Sequence, residues 1–346
     1  MEFELRDVVI EITKICNLKC VHCGSGCTDI LERELSIDDW KGVISSLAEL
    51  GVKKIIFSGG EPTLKRGIEE LFSQITSLGM DYGVISNGFG MKDGILDALS
   101  KYRPFAVGLS VDGLEKTHNR IRQNSSSWQN CIESIKRVKS AELPVCVVTT
   151  VNRWNYEELE KLALLTDSLG AECWQLQLTF PAGRAKDQKD FLISEEMFVD
   201  IFEKIARFRK EYPNMKIEAA DCFAFAPKDM IRDDGWFGCQ AGISSIGIDA
   251  FGDVMPCLAM RAATFCGNIK DSSLKEIWEN SDKLDFNRNF NPDLVLGKCH
   301  DCRALLYCRG GCGSFSLSYN GHFHDAPFCY FRNELRKREL IRKEGN

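Results

Sequence analysis

An α/β fold, a partial (β/α)6 barrel of parallel strands with a smaller cysteine-rich domain behind it, is predicted for this chain by three observations. Six short runs rich in Val, Ile, Phe or Leu fall at residues 8–15, 53–58, 82–86, 105–110, 144–151 and 172–179. Segments of helical periodicity follow, among them 37–50, 67–78, 128–140 and 156–169. Beyond residue 215 this alternation stops, aromatic and glycine content rises, and cysteines set the pattern.

Strand and helix alternating at this spacing mean right-handed βαβ units and a parallel sheet. Six units fall short of the eight of a closed barrel, hence a partial one. A further helix over 194–212 ends the series, with Ser194 as its cap and Glu195 and Glu196 in its first turn. The expected division is a barrel at 1–215, a linker at 216–235, the cysteine-rich domain at 236–332 and a charged helix at 333–346. That last helix, with its Lys, Arg and Glu, reads as a solvated face.

Composition narrows the class. The 346 residues carry a net charge of -6, with 44% hydrophobic and 27% charged residues. An acidic balance without a basic stripe argues against nucleic acid as the partner. The amino terminus lacks the basic start and apolar core of a signal peptide, and no run approaches the ~20 apolar residues of a membrane span. Thiols without an export signal imply a reducing, cytoplasmic setting, where cysteine spacings mean metal or catalysis.

Ten of the 16 cysteines form two groups. The first is Cys16, Cys20 and Cys23, at the carboxyl end of the first predicted strand, where barrel loops converge on one mouth. Three thiolates on a short loop can hold three corners of a cubane and leave the fourth iron open. Cys27 adds a fourth thiol, so a zinc site or a closed cluster is the competing reading. The second group runs Cys239, Cys257, Cys299, Cys302, Cys308, Cys312 and Cys329. Such a framework is the pattern of a protein built around iron–sulfur clusters and low-potential one-electron chemistry.

The second predicted strand ends in Ser58-Gly59-Gly60-Glu61-Pro62, two glycines that permit close backbone approach beside a carboxylate. With Cys-x3-Cys-x2-Cys after strand one, and His22 before the third cysteine, the chain resembles the radical S-adenosylmethionine (SAM) superfamily. The resemblance implies a [4Fe–4S] cluster on Cys16, Cys20 and Cys23 whose open iron chelates SAM. Reductive cleavage then yields a 5′-deoxyadenosyl radical that abstracts hydrogen. It extends along the barrel, placing Gly59, Gly60, Glu61, Asn87, Ser110 and Asp112 at the cofactor. Arg122 resembles the arginine that pairs with the methionyl carboxylate, a task its planar fork suits. Pro181-x-Gly183-Arg184 also matches, without a defined role. Cys27 has no place in the family pattern, and is either a loop cysteine near the mouth or a hydrogen donor or substrate-reactive thiol.

The carboxy-terminal series resembles the SPASM domain, a module appended to radical SAM enzymes that mature peptides and proteins. Gly252-Asp-Val-Met-Pro-Cys257, Gly267-Asn268-Ile269 and Ile277-Trp278 strengthen the match. The resemblance implies two auxiliary [4Fe–4S] clusters, one on Cys299, Cys302, Cys308 and Cys329, the other on Cys239, Cys257 and Cys312. For the second, Arg232-Asp233-Asp234-Gly235 stands where some relatives have a cysteine. Ligation by Cys222, by an aspartate or by substrate stays open.

The expected function is radical modification of a ribosomally made peptide, by cross-linking, oxidation or epimerisation. Electrons would come from a flavodoxin or ferredoxin. Many peptide maturases carry a peptide-recognition domain before the barrel, whereas here the first strand begins by residue 8, so the expectation is that a separate protein or the barrel itself recruits the leader. The rival readings are a small-molecule decarboxylase or dehydrogenase acting on a cofactor precursor, and a non-catalytic electron carrier.

Overall fold

Seven parallel strands follow one another in chain order across the sheet. They are β1 (Asp7–Glu11), β2 (Lys54–Ser58), β3 (Asp81–Ser86), β4 (Ala106–Ser110), β5 (Val145–Val151), β6 (Cys173–Leu178) and β7 (Lys216–Ala219). On the free side of β1 the sheet continues through β8 (Ser245–Ile248), parallel to it. The antiparallel β9 (Asp253–Met255) and β10 (Gly267–Asn268) complete a ten-stranded sheet. The computed structural model describes residues 3–27, 33–224, 230–231, 238–261 and 264–344, with side chains described through 337.

The helices between β1 and β7 are α1 (Ile37–Glu49), α2 (Ile68–Ser77), α3 (Asp93–Tyr102), α4 (Glu115–Arg122), α5 (Ser127–Ser140), α6 (Leu159–Ser168) and α7 (Glu195–Glu211). Two of them, α1 and α7, start at side-chain caps. In α1, Ser36 Oγ accepts from the Asp39 amide while Asp39 Oδ2 accepts from the Ser36 amide, a reciprocal cap. Its buried side chains, Trp40, Val43, Ile44 and Leu47, recur at helical spacing. Ser194 caps α7 by accepting from the Met197 amide at 3.3 Å, as its sequence predicts.

The partial barrel of parallel strands is as expected, but it is longer than six strands, and its first strand is shorter than predicted. After Glu11 the chain leaves regular pairing and runs along the end of β2, where Gly60 N donates to Thr13 O (2.7 Å) and Glu61 N to Ile15 O (2.8 Å). α4 was not predicted, because its inward face is His118, Ile121 and Arg122, two of them polar. The segment expected to link the domains begins with β7; its residues 225–229 and 232–235, including the stretch Arg232-Asp233-Asp234-Gly235, lie outside the described residues. The residues expected to form the second domain join the same sheet through β8.

The terminal helix, Tyr330–Glu344, is docked at its first turn, ahead of the exposed Arg336 and Lys337. Tyr330 stacks on Phe202 of α7 at 4.2 Å, Asn333 donates to Glu195 at 3.1 Å, and Arg332 is buried. No helix among the described residues is long and apolar enough to cross a membrane.

Candidate active site

The carboxyl ends of β1–β6 and the turns after β7 and β9 surround one cavity of about 520 Å³. Cys16, Cys20, Cys23 and Cys27 line it on one side; Cys222, Cys239, Cys257 and Cys312 line it on another. The two groups of cysteines, far apart in sequence, thus open onto a common space.

The loop carrying the first group is held from three directions. Val21 N donates to Ile121 O at 2.9 Å. Arg184 Nε donates to Cys20 O at 2.8 Å, and the Arg184 amide to Cys23 O at 3.0 Å. This gives the motif at Pro181–Arg184 a role: it clamps the cysteine loop. Gly183 (φ +53°) permits that approach, since a Cβ there would lie 2.2 Å from Cys23 O. Gly59 and Gly60 serve the same loop. A Cβ on Gly60 would lie 1.9 Å from Ile15 O, and one on Gly59 2.7 Å from Thr13 O. Both glycines thus permit close approach to the protein's own backbone.

Among residues expected at the cofactor, Gly59, Gly60, Asn87, Ser110 and Arg122 line the cavity. Glu61 and Asp112 are sealed behind it, at 1% and 0% exposure. Glu61 accepts from Ser86 Oγ and the Asn87 amide, both at 2.8 Å, and from Thr63 Oγ1 at 2.7 Å. Burial raises its carboxyl above the ordinary range against those hydrogen bonds. It fixes the turn that presents Asn87, whose amide donates to Asn17 Oδ1 at 2.8 Å beside Cys16. Asp112 accepts from Arg122, from His22 Nε2 at 2.9 Å and from the Thr150 amide at 2.8 Å. Burial alone would raise the Asp112 carboxyl; the Arg122 guanidinium and His22 outweigh it and hold the group well below the carboxylate range. Arg122 is thus no surface ion pair.

The thiols fit iron–sulfur ligation by their donor sets. Cys16 Sγ faces the Leu18 amide at 3.4 Å and Cys20 Sγ faces an Arg122 terminal nitrogen at 3.8 Å, the N–H···S contacts that stabilise thiolates on iron. Burial pushes the Cys16 thiol up to about 11 and the Cys257 thiol up to about 12, so cluster binding releases protons there. Cys239, Cys257 and Cys312 lie near enough for their charges to act on one another. Cys299 and Cys302 pack together away from the cavity, and Cys329 acts on Cys299 and is acted on by Cys302. Cys308 is buried against Ala224. Arg332, which sequence reasoning passed over as part of a charged tail, donates to Cys299 Sγ at 3.3 Å. Cys27 Sγ sits 3.8 Å from Cys23 Sγ. His22 was read only as a motif residue; its bond to Asp112 spans ninety positions and leaves no local signal.

Comparison with known proteins agrees with this geometry. Residues 10–166 match the Radical SAM superfamily, and residues 239–303 match the SPASM iron–sulfur cluster-binding domain. The chain is 26% identical over 344 residues to the AdoMet-dependent heme synthase of Methanosarcina barkeri, covering 94% of this chain and 97% of that one. It is 25% identical over 348 residues to the PqqA peptide cyclase of Rhizobium meliloti, covering 97% and 90%. Streptococcus suis SuiB, in its S-adenosylmethionine-bound crystal structure, shares the fold with a TM-score of 0.76 at 19% identity, over 94% of this chain and 76% of that one. The two matched segments contain six of the eight cysteines that line the cavity, and on that sequence and geometry the chain belongs to the radical SAM superfamily, with a SPASM domain and [4Fe–4S] clusters.

Proposed function

We propose that this radical SAM enzyme acts on a peptide, abstracting hydrogen from an unactivated carbon and oxidising or cross-linking it. The cavity lining carries the reading. Beside the cysteines, His22, Arg122 and Asp221, its polar side chains are amides and hydroxyls, among them Asn87, Thr150, Gln175, Gln177, Thr179 and Ser314. Among the described lining residues the one permanent cation is Arg122, and it is already paired with Asp112. Amides and hydroxyls suit the neutral donors and acceptors of a peptide backbone. A tetrapyrrole polycarboxylate would bring several charges into the cavity and need cations to meet them.

Bound cluster and SAM supply the 5′-deoxyadenosyl radical; the chain supplies position. Arg184, Gly60 and Gly183 fix the cysteine loop, and Asp112 aims Arg122 toward Cys20 and the cavity. The auxiliary cysteines on the opposite wall favour return of an electron from substrate to protein, hence net oxidation. The electron donor is a flavodoxin or ferredoxin, with the peptide's leader held by the barrel or a separate protein. In an epimerisation, where a hydrogen atom returns to the substrate radical and no electron leaves it, Cys27, at the cavity beside Cys23, is the thiol available as donor.

A second reading has one observation in its favour, the near full-length similarity to a heme synthase. The two are separated by incubating anaerobic, reduced protein and SAM with candidate short precursor peptides, or with Fe-coproporphyrin III. Substrate-dependent deoxyadenosine and a peptide lighter by two hydrogens support the proposal. Loss of carbon dioxide from the porphyrin, with the peptide untouched, overturns it.

A further inference from the structure

We propose that the Asp221 carboxylate is the fourth protein ligand of the auxiliary cluster held by Cys239, Cys257 and Cys312. Three thiolates leave one iron of a cubane without a protein ligand. Asp221 opens the single turn Asp221–Phe223 directly after β7, and it lines the same cavity as the three cysteines. It is exposed within a fold where its neighbours Cys222, Phe223 and Ala224 are buried.

The turn that carries it is held from two sides. Ala220 N donates to Leu176 O at 2.8 Å, and Leu178 N donates to Cys222 Sγ at 3.2 Å. Cys222 is thereby fastened to the end of β6, while the preceding carboxylate faces the cavity. Ala224, just past that turn, lies 3.0 Å from where a Cβ on Gly311 would stand, which brings the turn beside Cys312. A carboxylate oxygen is a harder donor than a thiolate and holds cluster iron less firmly. Its iron is the one a competing ligand in the cavity would reach.

The ligand role is tested without substrate, so its failure leaves the peptide reading standing. Full-length protein, anaerobically reconstituted and reduced, is saturated with SAM to occupy the amino-terminal iron, then titrated with 13C-cyanide under pulsed EPR. Asp221→Ala should bind cyanide at an auxiliary cluster at least tenfold more tightly than the native protein. Asp221→Cys should abolish that binding and lower the reduction potential of one auxiliary cluster. Should Asp221→Ala instead lose about four irons, restoration of iron by Asp221→Cys supports the role, and loss in both variants overturns it. Equal cyanide affinity in native and Asp221→Ala protein overturns it as well. So does a Cys222→Ser variant that alone gains cyanide binding, which would make Cys222 the ligand.

Discussion

Arg122 donates to one oxygen of Asp112 twice, from Nε at 2.7 Å and from a terminal nitrogen at 2.6 Å, with both side chains buried. The other oxygen receives the Thr150 amide, so the carboxylate is tied to β5 while the guanidinium reaches Cys20. Removing one partner strands the other charge in the interior. Asp112→Ala should cost on the order of 3–5 kcal/mol of stability. Anaerobic denaturant unfolding checks this, and a loss below about 1 kcal/mol would mean that solvent reaches Arg122 freely.

Gly60→Ala tests the contact between the second strand and the cysteine loop. The new methyl would need the Ile15 carbonyl to move, because its position lies 1.9 Å from that oxygen. The expected outcome is folded protein that takes up about eight irons rather than about twelve, the share of one cubane. Full iron content with normal SAM cleavage would show that the loop tolerates displacement.

Cys27→Ala separates three roles for one thiol. A closed cluster with Cys27 as fourth ligand would block chelation of SAM, so the variant is expected to keep the cubane and to keep forming deoxyadenosine. If product formation persists too, Cys27 is a bystander. If hydrogen abstraction continues while product disappears, the thiol returns a hydrogen atom and the reaction is an epimerisation. Mass spectrometry of products formed in deuterium oxide reads the difference.

The pH dependence of stability should carry the mark of His118. Burial pushes its imidazole down to about 3, from an ordinary 6.5, with Arg122 and His22 adding to the effect and Asp112 opposing it. Its Nδ1 accepts from the Asp112 amide and its Nε2 bonds Ser127 Oγ, an arrangement for the neutral ring. Between these values the unfolded chain binds a proton that the folded chain does not. Stability therefore falls as pH drops from about 6.5 toward about 3, by up to ~1.4 kcal/mol per pH unit. Unfolding midpoints at pH 7.5 and 5.0 should differ more in native protein than in His118→Gln. Equal differences would place the proton uptake elsewhere.

Strand periodicity and cysteine spacing were legible because both are local. The apolar runs that became β1–β6 repeat every second residue or fill whole strands, and Cys16, Cys20 and Cys23 sit within one turn of chain. What escaped depends on residues far apart. α4 hides a polar inward face whose partners, Asp112 and Cys20, lie outside the helix. β7 and β8, four residues each, are too short to show a period and are defined by the strands they join. Arg332 looks solvent-bound beside so many charges, and only the position of Cys299 makes it interior.

β8 lies along β1 in the register Asp7–Ser245 through Ile10–Ile248, so the cluster-bearing half supplies a rung to the radical-generating half. Glu11 on β1 is also ion-paired to Arg261, just past β9. Exchange of the carboxy-terminal half between relatives is therefore constrained by backbone ladder geometry as well as by cysteine positions. A donor segment lacking a strand in that register would leave one side of β1 open, an invitation to pair with another chain. Descent by shuffling would have to carry the strand and the clusters together, as a single heritable unit.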